Sequence, residues 1–341
     1  MKDDRLPRAA GIKDVARLAG VSTATVSRTL SNPKLVSEGT RAAVLTAVEA
    51  TGYSANISAR NLRQRRTGGV MAMAPNLANP FFSEILAGMS EVLRDHDLNL
   101  IVADTRIGER ARRRLLDYAD RSRVDGLLLL DGGLDPQMFA GPRCPPVIQV
   151  CEQIPGLTAP SVIADNVGGT CTAVAHLAER GYTRIGRITG PEANSLTRGR
   201  NAGFQEGMAA AGFEIRPDWT VEGAFSMAAG RRAAEHILPL SDRPDAIVCD
   251  SDEIACGLIS VLLGTGLRIP EDMAVVGFDD IELASHITPS LTTIRQPRRQ
   301  IGDTAARTLL GILGGQQISS QTIIPTSLIA RASTDGPSRR L

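Results

Sequence analysis

The sequence predicts an α/β protein in which a small helical head precedes a two-lobed body of parallel sheets flanked by helices. In residues 1–66 the apolar residues recur only at helical spacing, whereas from Val70 onward short apolar runs alternate with helix-period segments. Spacing of three and four residues indicates amphipathic helices, and short continuous apolar runs between helices indicate buried parallel strands. The change near Val70 therefore separates two regions of different architecture.

The first helix of the head is predicted from four apolar residues at i, i+3, i+4 and i+7, namely Ile12, Val15, Ala16 and Ala19. Gly20 interrupts this helix, and Ser22 supplies the side-chain oxygen that an N-cap requires. In the second helix Val26 and Leu30, four residues apart, face inward. The opposite side carries Thr23, Ala24, Ser27 and Arg28.

Two short helices joined by a tight glycine-containing turn are typical of a helix-turn-helix. Small residues such as Ala24 at the start of the second helix allow close approach to base edges, and Arg28 can offer two donors to a guanine. The alternative interpretation of this pattern is an ordinary helical hairpin. A third helix is predicted after Ser37, with its inner face formed by Val44, Leu45 and Val48 and its end at Gly52.

Charge is divided unevenly along the chain. Residues 1–66 hold 12 Lys and Arg against 5 Asp and Glu, a net +7, and the remaining 26 against 32 give −6. A basic head on an acidic body is expected when one end of a chain meets a polyanion. The basic N-terminus lacks the apolar core of a targeting peptide, and no run is long enough to span a membrane. Five cysteines without metal-ligand spacing favour a reduced compartment, so we expect a cytoplasmic protein.

A basic segment, residues 54–66, follows the third helix. It holds four arginines, Arg60 among them, and only two sizeable apolar side chains, Ile57 and Leu62. Such a segment cannot bury enough surface to fold alone. We interpret it as a hinge that becomes helical on DNA, with arginines on phosphates and Leu62 inserted between base steps. A solvated basic linker is the alternative.

The body is predicted from eight apolar runs that alternate with helical segments. The predicted strands are Val70–Ala74, Leu98–Ala103, Gly126–Leu130, Val147–Val150, Val162–Ala164, Ile185–Thr189, Ala246–Cys249 and Ala274–Phe278. The predicted helices include Phe82–Arg94, Glu109–Arg121, Gly203–Ala211 and Ile254–Leu263. The body is too long for a single sheet of this kind, so two lobes with a cleft between them are expected.

Polar and aromatic residues follow several of these strands, where a cleft would lie. Asp279 and Asp252 come shortly after two of them, Arg200 opens the helix after Ile185–Thr189, and Phe225 lies in a loop after a short strand near Trp219. Carboxylate and guanidinium groups pair with hydroxyls, and an aromatic face covers the apolar side of a sugar or nucleoside. Asp252 has an alternative role as the N-cap of the following helix.

The head resembles that of the LacI/GalR family of bacterial repressors through IKDVARLAGVSTATVSR, VSEGTR, GY and NISARNL. The resemblance implies base contacts for Thr23, Ala24 and Arg28 and a minor-groove wedge at Leu62. It also implies phosphate or backbone contacts for Ser22, Thr25, Ser27 and Asn56. The proline that family members often carry before the hinge asparagine is Ala55 here, which implies a looser entry to the hinge.

The body resembles the family's periplasmic-binding-protein-like effector domain through NPFFSEI, GYTRIGRITGP, RNAGF, SDEIACG, VVGFDD and LTTIRQP. The resemblance implies three crossings between lobes, near Asn166, Arg295 and Pro325. It implies a headpiece over 1–53, a hinge over 54–67 and an effector domain over 68–336. Lobe one would then span about 68–166 and 296–324, and lobe two about 167–295 and 325–336. The effector residues implied are Phe81, Phe82, Arg200, Phe225 and Asp279, with Asp165 matching more loosely and Asp252 lying in the matching loop.

The resulting prediction is a homodimeric repressor that binds a pseudo-palindromic double-stranded DNA operator and a small polyol effector. NPFFSEI, GPE, SDEIACG and PEDMAVVGFDD are similar to the family's cytidine-responsive branch, but the hinge is closer to that of sugar-responsive members, so the expected effector is a sugar or a nucleoside. No cofactor, metal or membrane partner is expected. Two alternatives remain: a solute-binding component of a transporter, and an enzyme that uses cleft carboxylates such as Asp279 and Asp280. None of the four histidines lies in a nucleophile motif.

Overall fold

The structure is a computed structural model that describes residues 10–53, 66–106, 108, 115, 117 and 119–336. The chain divides into two compact units, Met1–Arg66 and Thr67–Leu341. The hinge segment and most of the predicted helix Glu109–Arg121 lie outside the described residues. No helix in the described parts of the chain combines the length and apolar character needed to cross a membrane.

Within residues 10–53, the first unit contains three α-helices: α1 (Ile12–Leu18), α2 (Thr23–Ser31) and α3 (Glu38–Thr51). Their buried core consists of Val15, Ala16, Val26, Val44 and Ala47. The Ser22 hydroxyl caps α2 by accepting a hydrogen bond from the backbone N–H of Thr25 at 3.1 Å. These helices confirm the helical head that the apolar spacing predicts.

One residue of the predicted inner face of α3 points outward. Leu45 is 47% exposed, and Ala47 takes the buried position beside Val44. Successive helical residues are about 100° apart, so neighbours of the buried Val44 at i+3 and i+4 share its face and the residue at i+1 does not. The prediction that Leu45 faces inward is therefore wrong. Gly52 ends the helix with φ 62°, in the left-handed region that glycine adopts without strain.

The second unit contains twelve strands and seven helices within the described residues. The strands are β1 (Gly69–Ala74), β2 (Asn99–Asp104), β3 (Gly126–Leu129), β4 (Val147–Val150), β5 (Ser161–Ala164), β6 (Ile185–Thr189), β7 (Thr220–Glu222), β8 (Ala246–Cys249), β9 (Ala274–Asp279), β10 (Thr292–Arg295), β11 (Gln321–Ile324) and β12 (Ser327–Ile329). The helices are α4 (Phe81–Arg94), α5 (Asn166–Glu179), α6 (Ser195–Ala211), α7 (Met227–Ile237), α8 (Asp252–Gly264), α9 (Leu283–His286) and α10 (Arg298–Leu313).

These strands form two six-stranded sheets, ordered β11-β5-β4-β3-β1-β2 and β12-β10-β9-β8-β6-β7. Every described pairing is parallel except that of β10 with β12. In the first sheet Val70 and Ala72 pack under α4 and α10, whereas Met71 and Met73 face the other side. Both faces are buried, which is why these strands read as continuous apolar runs in the sequence.

The chain passes between the two sheets three times: after β5, after β10, and between β11 and β12. We call the first sheet with α4 and α10 lobe one, and the second sheet with α5 to α9 lobe two. In lobe one, α4 and α10 touch backbone to backbone, since a Cβ placed on Gly302 would lie 2.0 Å from the Ile85 carbonyl oxygen. This packing fixes α4 in lobe one, with its start at the edge of the sheet where the carboxyl ends of the strands lie.

Candidate functional site

A cavity of about 270 Å³ lies between lobe one and lobe two. Its volume lies near the lower end of the range for small-molecule sites, which suits a molecule of monosaccharide or nucleoside size. Its aromatic, charged, amide and hydroxyl side chains are Phe81, Phe82, Phe225, Arg106, Asp131, Glu152, Arg200, Asp279, Asn76, Asn79, Asn194 and Ser251. Five residues predicted from the sequence therefore come together here: Phe81, Phe82, Arg200, Phe225 and Asp279.

Arg200 extends from α6 and is almost completely buried, with 1% of its surface exposed. Its Nε donates to Asn166 Oδ1 at 2.9 Å, and Nη1 donates to the main-chain oxygen of Asp250. Nη2 lies 3.7 Å from Asp279 Oδ1 and makes no hydrogen bond with any described residue. The guanidinium carbon lies 3.8 Å from the Phe278 ring centroid. One donor group of a fixed guanidinium is thus left for another partner.

Asp279 is the last residue of β9 and has φ 117°, an unusual conformation for a residue with a side chain. Its Oδ1 accepts a hydrogen bond from Gln296 Nε2 at 2.7 Å. Burial raises the pKa of this carboxyl to about 6, although the nearby Arg200 acts in the opposite direction. Asp279 is therefore a carboxylate that can take up a proton close to neutral pH.

Asp280, the next residue, has a different environment. Its two carboxylate oxygens meet Arg295 Nε at 2.6 Å and Arg331 Nη2 at 2.7 Å. Burial alone would raise its pKa, but the hydrogen bonds from both arginines bring the pKa below its ordinary value. With both oxygens engaged by the protein, Asp280 is a structural ion-pair partner and does not line the cavity.

Three aromatic rings line the cavity. Phe81 and Phe82 begin α4, with their ring centroids 5.2 Å apart at an interplanar angle of 78°. Both are also part of the core of lobe one, so the core and ligand-facing roles weighed for Phe82 are combined in one side chain. Phe225 of lobe two lies with its ring 5.8 Å from the Arg200 guanidinium carbon. The cavity thus has aromatic faces on both lobes.

Two predicted effector residues are not among the residues that line the cavity. Asp165 caps α5, since its Oδ1 accepts from the Gly168 N–H at 2.8 Å. Asp252 is the first residue of α8 and accepts from the Ile281 N–H at 2.8 Å and from the Thr293 hydroxyl at 2.5 Å. Burial raises the pKa of Asp252 well above its ordinary value. The N-cap interpretation of Asp252 is wrong, because Ser251 occupies that position.

Sequence reasoning missed the two acidic side chains that lobe one contributes. Asp131 and Glu152 follow β3 and β4 within two residues of each strand's end. The signal used for Asp279, an acid after a predicted strand, would have found both of them. Glu152 Oε2 accepts from the Gly132 N–H at 2.8 Å, and burial raises the pKa of this carboxyl.

Several hydrogen bonds connect the lobes around the cavity. The side chain of Asn194 in lobe two hydrogen-bonds to Glu152 in lobe one. The Gln153 N–H donates to Ser195 Oγ at 3.0 Å, and Asn79 Nδ2 lies 3.5 Å from Glu253 Oε2. These contacts close one rim of the cavity, so its shape depends on the separation of the lobes.

The helix-turn-helix residues lie on α2 of the first unit. Thr23, Ala24 and Arg28 are exposed, and Arg28 forms no ion pair with another described residue. Thr25 and Ser27 are half-buried, and Ser22 Oγ lies 2.9 Å from Thr25 Oγ1 as well as capping the helix. The remaining predicted DNA contacts lie outside the described residues: Asn56, Arg60 and Leu62.

One chain thus carries a helix-turn-helix unit and a separate α/β unit whose two lobes enclose a cavity. This combination defines a DNA-binding transcriptional regulator. The profile of the lacI family of bacterial regulatory proteins matches residues 11–56, and that of a periplasmic binding protein-like domain matches residues 174–334. The chain is 36% identical to the HTH-type transcriptional repressor CytR of Escherichia coli (strain K12), over 98% of this chain and 99% of that protein. It is 33% identical to the ribose operon repressor of Haemophilus influenzae, over 94% and 97%.

Solved structures of regulators of this family have the same fold as this chain. The lac repressor dimer bound to operator and the anti-inducer ONPF has a TM-score of 0.85 and 29% identity, over 96% of this chain and 99% of that one. The complex of the transcriptional regulator CelR with cellobiose has a TM-score of 0.73 and 31% identity, over 95% and 99%. The chain belongs to the LacI family of bacterial transcriptional regulators. The predicted family and fold class are confirmed, and these relatives are repressors rather than enzymes.

Proposed function

We propose that the protein is a cytoplasmic, homodimeric repressor whose affinity for its operator is set by an uncharged polyol, a sugar or a nucleoside, bound in the cavity. The observation that carries this proposal is that Arg200 lines the cavity while its buried Nη2 makes no hydrogen bond with a described residue. A hydroxyl or carbonyl oxygen of the effector accepts from it. Asp279 accepts from effector hydroxyls, and the phenylalanine rings cover apolar faces.

An uncharged effector is favoured over a phosphorylated one by the balance of charge. The cavity is lined by three carboxyl groups, Asp131, Glu152 and Asp279, and two guanidinium groups, Arg106 and Arg200. Arg200 already has Asp279 and the Asp250 carbonyl beside it. A phosphate would therefore meet more negative than unpaired positive charge. The relatives are compatible with such ligands, since CelR is bound to cellobiose and another relative is named for the ribose operon.

Regulation follows from the fact that both lobes contribute to the cavity. An effector that touches Phe81 on lobe one and Arg200 on lobe two binds one separation of the lobes better than another. In the proposal residues 1–53 form the DNA-binding headpiece, 54–67 the hinge and 68–336 the effector domain. The change in lobe separation alters operator affinity through the hinge, and by linkage the operator alters effector affinity equally.

For operator binding we propose that Thr23, Ala24 and Arg28 contact base edges. The phosphate and backbone contacts are assigned to Ser22, Thr25, Ser27, Asn56 and Arg60, with Leu62 as the minor-groove wedge. Two headpieces of a dimer read the two half-sites of a pseudo-palindrome. Support comes from the family match over residues 11–56 and from the exposure of Thr23, Ala24 and Arg28 on α2.

The effector is tested by thermal unfolding of the full chain with ribose, cellobiose, cytidine, uridine and adenosine, each compared with a phosphorylated counterpart. A compound at about 100 times its Kd raises the free energy of unfolding by about 2.7 kcal/mol. We expect stabilisation by an uncharged member and none by its phosphate. Stabilisation by phosphates alone would contradict the charge argument, and no stabilisation by any compound would contradict a sugar or nucleoside effector from this panel.

Operator binding is tested by enriching a random double-stranded DNA pool on the protein and measuring fluorescence anisotropy with the selected sequence. Arg28→Ala should weaken binding by about 5–150-fold because a bidentate base contact is worth about 1–3 kcal/mol. Arg17→Ala, which removes an exposed arginine from α1, is the matched control and should cost far less. Equal losses in the two variants would show that Arg28 acts only as positive charge.

A further inference from the structure

Arg187 lies in the middle of β6 and is as deeply buried as Arg200, with 1% of its surface exposed. Its guanidinium grips the Asp250 carboxylate: Nε lies 3.0 Å from Oδ1, and Nη2 lies 2.8 Å from Oδ1 and 3.0 Å from Oδ2. Asp250 is equally enclosed, also with 1% exposed. Lobe two thus contains a fully buried ion pair directly behind the cavity wall.

Stability alone does not account for such a pair. Two charges taken out of water lose hydration that their mutual attraction barely restores, and well-packed apolar residues in the same place are often as stable or more so. The contacts of the pair with other residues are therefore the more informative observation. Two sets of these contacts lead towards Arg200; the others include the Gly190 N–H and the Phe204 ring, whose centroid lies 5.6 Å from the Arg187 guanidinium carbon.

The first set of contacts runs from Arg187 to α6. Nη1 donates to Asn201 Oδ1 at 2.8 Å, and Nη2 donates to the Thr197 carbonyl oxygen at 3.4 Å. Thr197 and Asn201 lie on either side of Arg200 along this helix. Arg187 therefore fixes the helical turn from which the Arg200 side chain extends.

The second set of contacts runs through Asp250. Its carboxylate is held by Arg187 and by the Gly190 N–H, which donates to Oδ2 at 3.1 Å, and its main-chain oxygen accepts from Arg200 Nη1. Without Arg187 the Asp250 carboxylate would lie beside the Arg200 guanidinium with no other charge to satisfy it. Coulomb attraction at this short range and low polarity would draw the Arg200 guanidinium out of the cavity wall.

We propose that Arg187 and Asp250 are positioning residues for Arg200, which aim its Nη2, the nitrogen without a hydrogen bond to a described residue, at the effector and so determine which effector oxygen it meets. The proposal rests on the proposed function in that Arg200 is the group that touches the effector. Arg187 itself does not line the cavity. It acts by setting the place of another side chain.

A double-mutant cycle separates positioning from general destabilisation. Arg187→Lys keeps the positive charge but loses the bidentate hydrogen bonds to the Asp250 carboxylate. Calorimetric titrations of the full chain with cytidine and with ribose are compared in the parent and in the Arg200→Lys background. We expect Arg187→Lys to weaken binding by about tenfold in the parent and by less than about twofold where Arg200 is already lysine. Equal losses in both backgrounds would overturn the proposal.

A second readout needs no effector. In a perdeuterated protein the Arg200 Nε–H resonance is assigned by its disappearance in Arg200→Lys. We expect Arg187→Lys to shift this resonance and speed its exchange with water. Arg184→Lys, which changes a half-exposed arginine just before the same strand, should leave the resonance unchanged. An unchanged resonance in Arg187→Lys overturns the proposal whether or not cytidine or ribose binds. Absence of binding by every compound of the panel counts against the proposed effector alone.

A milder variant serves if Arg187→Lys does not fold. Asn201 is exposed, and its side-chain oxygen accepts a hydrogen bond from Arg187 Nη1. Asn201→Ala therefore removes one hydrogen bond of the guanidinium without leaving a buried charge unpaired. The Arg200 resonance should move in the same direction, and binding should weaken by about two- to threefold. A displaced Arg200 resonance supports positioning, and an undisturbed one in this stably folded variant contradicts it.

Discussion

The two lobes contribute to the cavity in different ways. Lobe two supplies Arg200 and Asp279, which are buried and held by hydrogen bonds to Asn166, Asp250 and Gln296 before any effector arrives. Of the charged side chains that lobe one supplies, Glu152 is buried, but Arg106 is exposed and Asp131 only half-buried. A side chain that is already fixed loses no rotamer freedom on binding, whereas an exposed one does. Lobe two is therefore the ordered half of the site, and lobe one completes it.

The largest effect should distinguish the two arginines. Arg200→Lys should weaken effector binding by about 30- to 100-fold, because lysine cannot keep the two directed hydrogen bonds to Asn166 and the Asp250 carbonyl and still present a donor. Arg106→Lys is the matched change on lobe one and should cost no more than about threefold, since an exposed charge contributes little. Calorimetric titration with the compound that stabilises the parent checks both. Similar losses would break the contrast between the lobes.

The pH dependence of binding should come from lobe two. Asp279 accepts effector hydroxyls only as a carboxylate, and its pKa in the folded protein is raised to about 6. Affinity should be constant above this value and fall by up to about tenfold per pH unit below it. Asp279→Asn should remove this dependence. A profile that stays the same in Asp279→Asn would assign the titration to another group, Glu152 of lobe one being the first to examine.

The same group affects folding with the opposite sign. A carboxyl whose pKa is raised in the folded state binds its proton more tightly there than in the unfolded chain, so its contribution favours the folded state at low pH. That contribution is lost as the pH rises through about 6. Between the ordinary pKa of an aspartate, about 4, and a pH of about 6, the free energy of unfolding of Asp279→Asn should therefore change less than that of the parent protein. Denaturant unfolding at each pH measures this difference.

Glu152 should have a moderate effect although it is buried. Glu152→Gln keeps a side-chain oxygen for the Gly132 N–H but removes the charge that Asn194 and the effector meet. We expect a three- to tenfold loss of affinity, of the order of one hydrogen bond to a charged group. Glu235→Gln, an exposed change on α7, is the control. A loss as large as that of Arg200→Lys would mean that lobe one is as fully ordered as lobe two.

The smallest effect should come from the rim. Ser195→Ala removes the bond from the Gln153 N–H, one of the contacts that join the lobes. Because the Ser195 hydroxyl joins the two lobes and does not contact the effector, effector affinity should change by no more than about threefold. The dissociation rate should rise by the same factor, as measured by stopped-flow fluorescence. A large change in association rate with no change in dissociation would contradict its role in closure.

The strands were predicted best where burial is continuous. β4, β6 and β8 have the predicted bounds, because both faces of each strand are covered and even the polar residues within them, such as Gln149 in β4 and Arg187 in β6, are buried. β10 and β12 were not found from the pattern. Each is short and mixes threonine or serine with one or two apolar residues, which leaves no periodicity to detect.

The site was predicted less completely for a physical reason. Asp279 follows a strong apolar run, so a local pattern located it, and the same pattern applied to lobe one would have located Asp131 and Glu152. The burial of Arg187 could not be predicted in this way, since its partner Asp250 is 63 residues away and only the fold brings them together. Asp252 was misread because its neighbour Ser251 competes for the cap and nothing local decides between them.

The last two strands have a consequence for how the chain is made. β11 completes the edge of the first sheet and β12 the edge of the second, and only residues 325 and 326 separate them. Neither lobe can finish its sheet during synthesis until nearly the whole polypeptide has left the ribosome. Because domains acquire their structure as units, both halves of the effector unit should become protease-resistant together and late. A chain that stops before Gln321 would lack both edges, and the helical head would be the part that had folded first.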